Sequence, residues 1–238
     1  MAIAIDTFIS DFKKSGIIEW LSEKYDIIFI WITGSRAVNL DDSDSDYDLG
    51  VLVADKIETP RDHEHITSGK YLKDPEKHIH FRVNTLKDVY SYLEKVPFIF
   101  YDYLGWAQFG SFDESHIIYV NPKYQEILDE LVANKHLISK RAAYAYLTTF
   151  NPVLNTLADG KLPNGVLPKF IAYFLLCLSI ISEEAAIHEQ LLKIKQTPLE
   201  QLSDSDKLYI ATKASVARQL ITEYIPPELS LKNFKPWW

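Results

Sequence analysis

The chain has 238 residues, a formal net charge of -8, and 47 % hydrophobic against 24 % charged residues. This is an ordinary globular composition, and it argues against a disordered chain, a collagen-like repeat or a coiled coil. With 33 Asp and Glu against 25 Lys and Arg, a broad nucleic-acid surface is disfavoured, because such a surface needs many phosphate-neutralising cations. A single cysteine, Cys177, excludes an internal disulfide framework or a thiolate metal cluster and fits a reducing compartment. The opening MAIAIDTFISDFKK lacks the basic start and continuous apolar run of a signal peptide. The longest apolar run, from Ile171 to Ile181 and broken only by Ser179, falls short of the roughly 20 residues of a membrane span. The expectation is a cytoplasmic protein with no membrane association.

Along the chain, Phe8, Ile9, Phe12, Ile17, Trp20 and Leu21 recur at helical spacing between Asp6 and Tyr25, with Gly16 as a weak point. Next, IIFIWIT from Ile27 to Thr33 is β-branched and aromatic and stops at Gly34, the pattern of a strand buried on both faces. A second strand, Tyr47 to Val53, follows an acidic turn. A hairpin is expected further on, with Lys70 to Leu72 and Ile79 to Val83 as strands around the Asp74-Pro75 turn. Leu86 to Leu93 reads as helix, Pro97 to Trp106 is ambiguous, and Ile117 to Val120 is a short strand. Pro122 marks a helix start running to about Val132. Beyond about Lys135 the pattern is helical throughout: His136 to Phe150, Pro168 to Lys195 and Asp204 to Tyr224. A strand-rich first half and a helical second half predict an α+β protein with a first domain over 1–134 and a helical C-terminal domain over 135–238.

Chemistry concentrates in TGSRAVNLDDSDSDYDLGVLV, from Thr33 to Val53. Residues two apart on a strand share a face, so Asp46 and Asp48 project together, opposite Tyr47 and Leu49. Adjacent carboxylates repel unless a cation lies between them, and oxygen ligands of this kind suit Mg²⁺ or Mn²⁺. At Gly34-Ser35, glycine admits close backbone approach to a phosphate, while the following amides and the Ser35 hydroxyl can donate to its oxygens. Arg36 can add a charge-assisted contact. A phosphate cradle beside a divalent-cation pair is the equipment of phosphoryl or nucleotidyl transfer.

Gly34-Ser35, the spacer from Arg36 to Ser45, and Asp46-x-Asp48 resemble the signature of the DNA polymerase β-like nucleotidyltransferase superfamily. GSRA followed by SDSDYDLGV is more specifically similar to a family of predicted bacterial and phage nucleotidyltransferases, some found beside RNA ligases. The resemblance covers about 20 of the 238 residues. It implies a nucleotidyltransferase-type mixed sheet with flanking helices, a helical C-terminal part, Mg²⁺ or Mn²⁺, and an NTP donor, with ATP foremost. The implied activity is transfer of an NMP from that donor to a hydroxyl acceptor the sequence does not identify. The superfamily draws a third carboxylate from a later strand. In HIHFRVN, from His78 to Asn84, that position falls at His80, aligned by the following Leu86-Lys87-Asp88-Val89. Lys169 and Tyr173 match a C-terminal Lys-x-x-x-Tyr of the family, and Leu176 stands where the family carries an arginine. These departures give a second expectation: a nucleotide-binding or antitoxin-like regulatory protein that acts through a protein partner.

The site set is therefore Asp46, Asp48 and His80 as catalytic residues, with Gly34, Ser35 and Arg36 at the nucleotide and Asp46 and Asp48 at the metal. Arg82, on the polar face of the same strand as His80, is a candidate phosphate contact. The spacing of Asp44, Asp46 and Asp48 fails as an EF-hand, since Leu49 stands where glycine is required. His63-Glu64-His65 has no further ligand at a supporting spacing and reads as a solvated loop. Lys135, Lys140 and Arg141 read as a solvated helix face, the tyrosines Tyr144, Tyr146 and Tyr173 as packing, and Cys177 as a buried small hydrophobe.

Overall fold

The computed structural model describes residues 5–41, 45–54, 63–67, 78–86, 102–109 and 114–221. By spatial grouping the chain divides into two compact units, residues 1–91 with 111–135, and residues 92–110 with 136–238. Mixed sheet and helices are both present, as an α+β composition requires.

The first unit is built on one sheet. Among the described residues its strands are β1 (Ile27–Thr33), β2 (Tyr47–Val53), β3 (His63–Thr67), β4 (His78–Thr85) and β5 (Ile117–Val120), in the order β3-β4-β2-β1-β5. β1 pairs antiparallel with both β2 and β5, β2 runs parallel to β4, and β3 closes the edge antiparallel to β4. Every residue of β1 is buried, which is why its sequence shows no polar alternation. The expected hairpin partner of β4 is corrected: residues 63–67 fill that role. Residues 70–72, the 74–75 turn, 87–93 and 97–101 lie outside the described residues.

The core forms where one sheet face meets helices α1 (Ile5–Lys13) and α2 (Ile17–Ser22). Ile30, Ile32, Tyr47, Leu49, Val51, Ile79 and Phe81 pack there with Phe8, Phe12, Ile17 and Leu21. The rings of Phe8 and Tyr47 stack with centroids 3.9 Å apart. Each such side chain removed from water contributes roughly 1.5–3 kcal/mol. The single helix expected from Asp6 to Tyr25 is two. Gly16 adopts φ 78, a left-handed conformation that breaks the first helix and starts the second while both keep their apolar stripes on the sheet.

The first unit ends with a turn at Pro122–Tyr124, capped by the Asn121 side chain accepting from the Lys123 amide at 3.1 Å, and with α4 (Gln125–Ala133). The second unit is helical among the described residues. It contains α3 (Asp102–Gln108), α5 (Lys135–Thr149), α6 (Asn151–Ala158), α7 (Pro168–Ser182), α8 (His188–Gln196) and α9 (Asp204–Leu220). The stretch Pro168 to Lys195, expected as one helix, is broken after α7. Glu183 takes φ 55, and the Glu184 amide donates back to the Ser179 carbonyl at 3.1 Å. Lys140 pairs with Glu183 and Lys213 with Glu184, so cations from α5 and α9 meet the two residues of the break. α7 is 15 residues long, or about 22 Å of helix against the roughly 30 Å of a bilayer core. No helix among the described residues is long and apolar enough to cross a membrane.

Candidate functional site

β1 hands the chain to a tight bend. Gly34 follows Thr33 with φ 72, and Ser35 opens a 3₁₀ turn over Arg36–Val38 that ends in left-handed Asn39, with the Leu40 amide donating to the Ser35 carbonyl at 2.8 Å. The bend is pressed against Asp48: a Cβ placed on Gly34 would stand 2.7 Å from Asp48 Cβ and closer still to the carboxylate. Two constraints therefore demand glycine here, the left-handed backbone and the approach to Asp48. The register explains the contact, because Thr33 sits directly opposite Asp48 on the neighbouring strand. Ser35 is 6 % exposed.

Asp46 and Asp48 bracket Tyr47 at the start of β2 and are partly exposed, whereas Tyr47 turns into the core. Asp48 is in register with His80 on β4, and Gly50 with Arg82. His80 faces both carboxylates, with Nε2 3.6 Å from Asp46 Oδ2 and Nδ1 3.7 Å from Asp48 Oδ1. Arg82 brings a guanidinium nitrogen to 3.8 Å from Asp48 Oδ1. These separations exceed hydrogen-bond distance, and the Arg82 contact is an ion pair with Asp48. The structure thus brings Gly34, Ser35, Asp46, Asp48, His80 and Arg82 to one end of one sheet face.

Arg36 is placed differently from the phosphate contact expected of it. Its side chain is 3 % exposed and turned into the acidic loop. Nε donates to the Asp46 carbonyl at 3.2 Å, one terminal nitrogen to the Ser45 carbonyl at 2.6 Å, and the other to Asp41 Oδ2 at 3.0 Å. The guanidinium carbon also lies 4.3 Å from the centre of the Tyr47 ring. A planar fork of donors suits this task, since it ties down the chain that carries both aspartates.

The donor chemistry suits a divalent cation: two neighbouring carboxylates supply hard oxygen ligands, and Gly34 lets the bend pack closely against Asp48. Among the described residues, no group of three or more His, Cys, Asp and Glu side chains stands ready-made around a metal position. Asp102 opens α3 in the second unit, and Lys169, Tyr173 and Leu176 lie on α7. Cys177 is buried, and burial pushes its thiol far above the ordinary range, leaving it unreactive.

Two features escaped the sequence pattern. His63-Glu64-His65 is strand β3 rather than a solvated loop, with His65 in register opposite His80 and His63 opposite Arg82. The signal available was a second His-x-His, matching His78-x-His80 at the same spacing. Thr33, adjoining Gly34, is 3 % exposed and its hydroxyl has no hydrogen-bond partner. No protein-family model matches this chain, and a search of curated proteins likewise returned no match.

Proposed function

We propose that the chain is a metal-dependent nucleotidyltransferase of the DNA polymerase β-like type, moving an NMP from an NTP, ATP foremost, to a hydroxyl acceptor. One observation carries the reading: the Gly34 bend, in a conformation that favours glycine, is seated directly against Asp48. A backbone stripped of its Cβ beside a carboxylate pair is what a cation-chelated triphosphate needs in order to touch amide and cation together.

Each residue then has a task. Asp46 and Asp48 hold Mg²⁺ or Mn²⁺, which when bound neutralises phosphate charge and polarises the reacting oxygens. The Ser35 hydroxyl and the amides after Gly34 donate to phosphate oxygens. Arg82, on the same face as Asp48, replaces Arg36 as the cation available to the phosphates, and Arg36 positions the aspartates through the loop. One carboxylate accepts the proton of the acceptor hydroxyl as its oxygen bonds to the α-phosphorus and pyrophosphate departs.

His80, in register with Asp48 where the superfamily carries an acid, supports a second reading: nucleotide binding without transfer, in a regulatory or antitoxin-like protein with a protein partner. Calorimetry with ATP and the other NTPs, in Mg²⁺ and in Mn²⁺, on the wild type, Asp46→Asn and Asp48→Asn tests the shared premise. Nucleotide binding that weakens in both variants is expected, and equal binding by all three would remove it. Metal-dependent pyrophosphate release that needs Asp48 separates the enzyme from the regulator.

A further inference from the structure

Thr33 ends β1 beside the aspartates, and its side chain is a buried donor with nothing to bond. The residue is 3 % exposed, and its hydroxyl has no hydrogen-bond partner. Alternation along the strand fixes its direction. Ile30 and Ile32 pack into the core with α1 and α2, so Thr33 turns to the opposite face. Register gives the same answer: Thr33 lies directly across from Asp48, and opposed residues share a face.

Asp48 supplies the matching acceptor, because its two carboxylate oxygens serve different flanks. Oδ1 faces β4, 3.7 Å from His80 Nδ1 and 3.8 Å from Arg82 Nη2. Oδ2 faces the β1 flank, as the atom nearest to where a Cβ on Gly34 would stand. Among the described residues, no hydrogen bond ends on Oδ2. Cβ atoms of directly opposed residues stand about 4.5–5.5 Å apart, a span that a hydroxyl and a carboxylate oxygen close by turning about their Cα–Cβ bonds. A strand end that had only to be β-branched and buried would be better served by valine, which has the same shape and no hydroxyl to desolvate. An unmet buried hydroxyl costs stability, and such costs gather at functional sites.

We propose that Thr33 is a positioning residue for Asp48: its hydroxyl donates to Asp48 Oδ2 once ligand is seated, fixing the carboxylate plane and leaving Oδ1 to serve the ligand. The bond is absent from the free structure, so its energy appears in binding rather than in folding. The proposal rests on the nucleotidyltransferase reading for its ligand, the cation-chelated triphosphate.

The test compares wild type, Thr33→Val, Thr33→Ser, Asp48→Asn and, as a control for the substitution itself, Thr212→Val at an exposed position on α9. Each full chain is titrated by calorimetry with ATP in saturating Mg²⁺ and with Mn²⁺ alone, and each is melted without ligand. Thr33→Val is expected to bind ATP about 10-fold or more weakly, the worth of a hydrogen bond to a charged group, while melting no lower than wild type. Thr33→Ser keeps the hydroxyl and should stay within about 3-fold of wild type. Thr212→Val should match wild type in both measurements. Wild-type affinity in Thr33→Val overturns the proposal. So does a Thr33→Val chain that melts lower or fails to fold, since the hydroxyl would then already serve the fold. Thr33→Ser as weak as Thr33→Val overturns it too. ATP binding that needs Asp48 but ignores Thr33 leaves the nucleotidyltransferase reading standing after such a failure. If wild type binds no ATP, that reading falls and Mn²⁺ alone decides. An Mn²⁺ affinity that drops in Thr33→Val and returns in Thr33→Ser upholds the positioning role; any other Mn²⁺ result, including no binding, overturns it.

Discussion

At the scale of single residues, Gly34 and Gly16 form a natural control pair. Both are left-handed, with φ 72 and φ 78, but a Cβ on Gly16 would meet nothing within 4 Å, whereas one on Gly34 would run into Asp48. Alanine at either position costs about 1–2 kcal/mol of backbone strain, so both Gly16→Ala and Gly34→Ala should lower the melting temperature. Gly34→Ala alone should abolish nucleotide binding in calorimetry, because it also displaces Asp48. Equal binding by the two variants would show that the close approach at Gly34 has no bearing on the ligand. Arg36 gives a different signature. Arg36→Lys keeps the charge but loses the fork that reaches the Ser45 and Asp46 carbonyls and Asp41. A loss of about 1–3 kcal/mol in denaturant unfolding is expected, with weakened nucleotide binding as its consequence. Arg82→Gln should weaken nucleotide binding with far less effect on stability. The pair Asp46 and Asp48 was legible in the sequence because a strand period of two is rigid. The contacts of Arg36 were not, because two of its three partners are backbone carbonyls 9 and 10 residues away, and backbone acceptors carry no residue signature.

At the scale of elements, α9 shows how local chemistry stabilises a helix on which the second unit depends. Ser203 caps it: its hydroxyl accepts from the Asp206 amide at 3.2 Å, while the Asp206 carboxylate accepts from the Ser203 amide at 3.3 Å and from Lys193 Nζ on α8 at 2.7 Å. The Lys193 hydrogen bond first, then that of the Ser203 hydroxyl, holds the Asp206 carboxyl below its usual range. A depressed carboxylate stabilises the fold above its unfolded pKa, and that stability is lost as pH falls through the folded value. Asp206→Asn should therefore lower the melting temperature near neutral pH, with the gap to wild type closing below about pH 4. A gap that stays constant down to pH 2 or so would assign the loss to packing instead. Ser203→Ala should cost about 1 kcal/mol in denaturant unfolding. Strands β1, β2 and β5 and helix α9 were readable because a single pattern marks each. The break after α7 was not, since Glu183 and Glu184 are ordinary helix residues and their turn is met by Lys140 and Lys213 from distant helices. Strand β3 was hidden for a related reason: in HEHIT only Ile66 is apolar, so the hydrophobic alternation that usually marks a strand is absent.

At the scale of the whole molecule, the division of the chain is not a single cut. Residues 92–110 group with 136–238, so the sheet unit is interrupted in sequence and completed by 111–135. Composition changes near residue 135, and that change alone suggests a boundary there. It cannot reveal an excursion of one α-helical segment, because α3 carries the same apolar content whichever unit it joins. The packing of α3 is specific: the Ser139 hydroxyl on α5 donates to the Ala107 carbonyl, Trp106, Ala107 and Phe109 are buried, and the Trp106 and Phe109 rings lie 5.2 Å apart. A fragment ending at residue 134 keeps α3 and lacks α5 and α7, against which α3 packs. Its buried aromatic surface would then be exposed to water, an apolar patch that promotes association. The fragment 1–134 should therefore bind a hydrophobic dye strongly and associate in sedimentation, while the full chain does neither. A version joining 1–91 to 111–135 through a short glycine-serine linker should stay monomeric and retain the Gly34, Asp46 and Asp48 site, measured as Mg²⁺-dependent ATP binding within about 10-fold of the full chain if the sheet unit folds independently. If the fragment ending at 134 behaves like the full chain and the linked version does not fold, the excursion of 92–110 belongs to the sheet unit energetically.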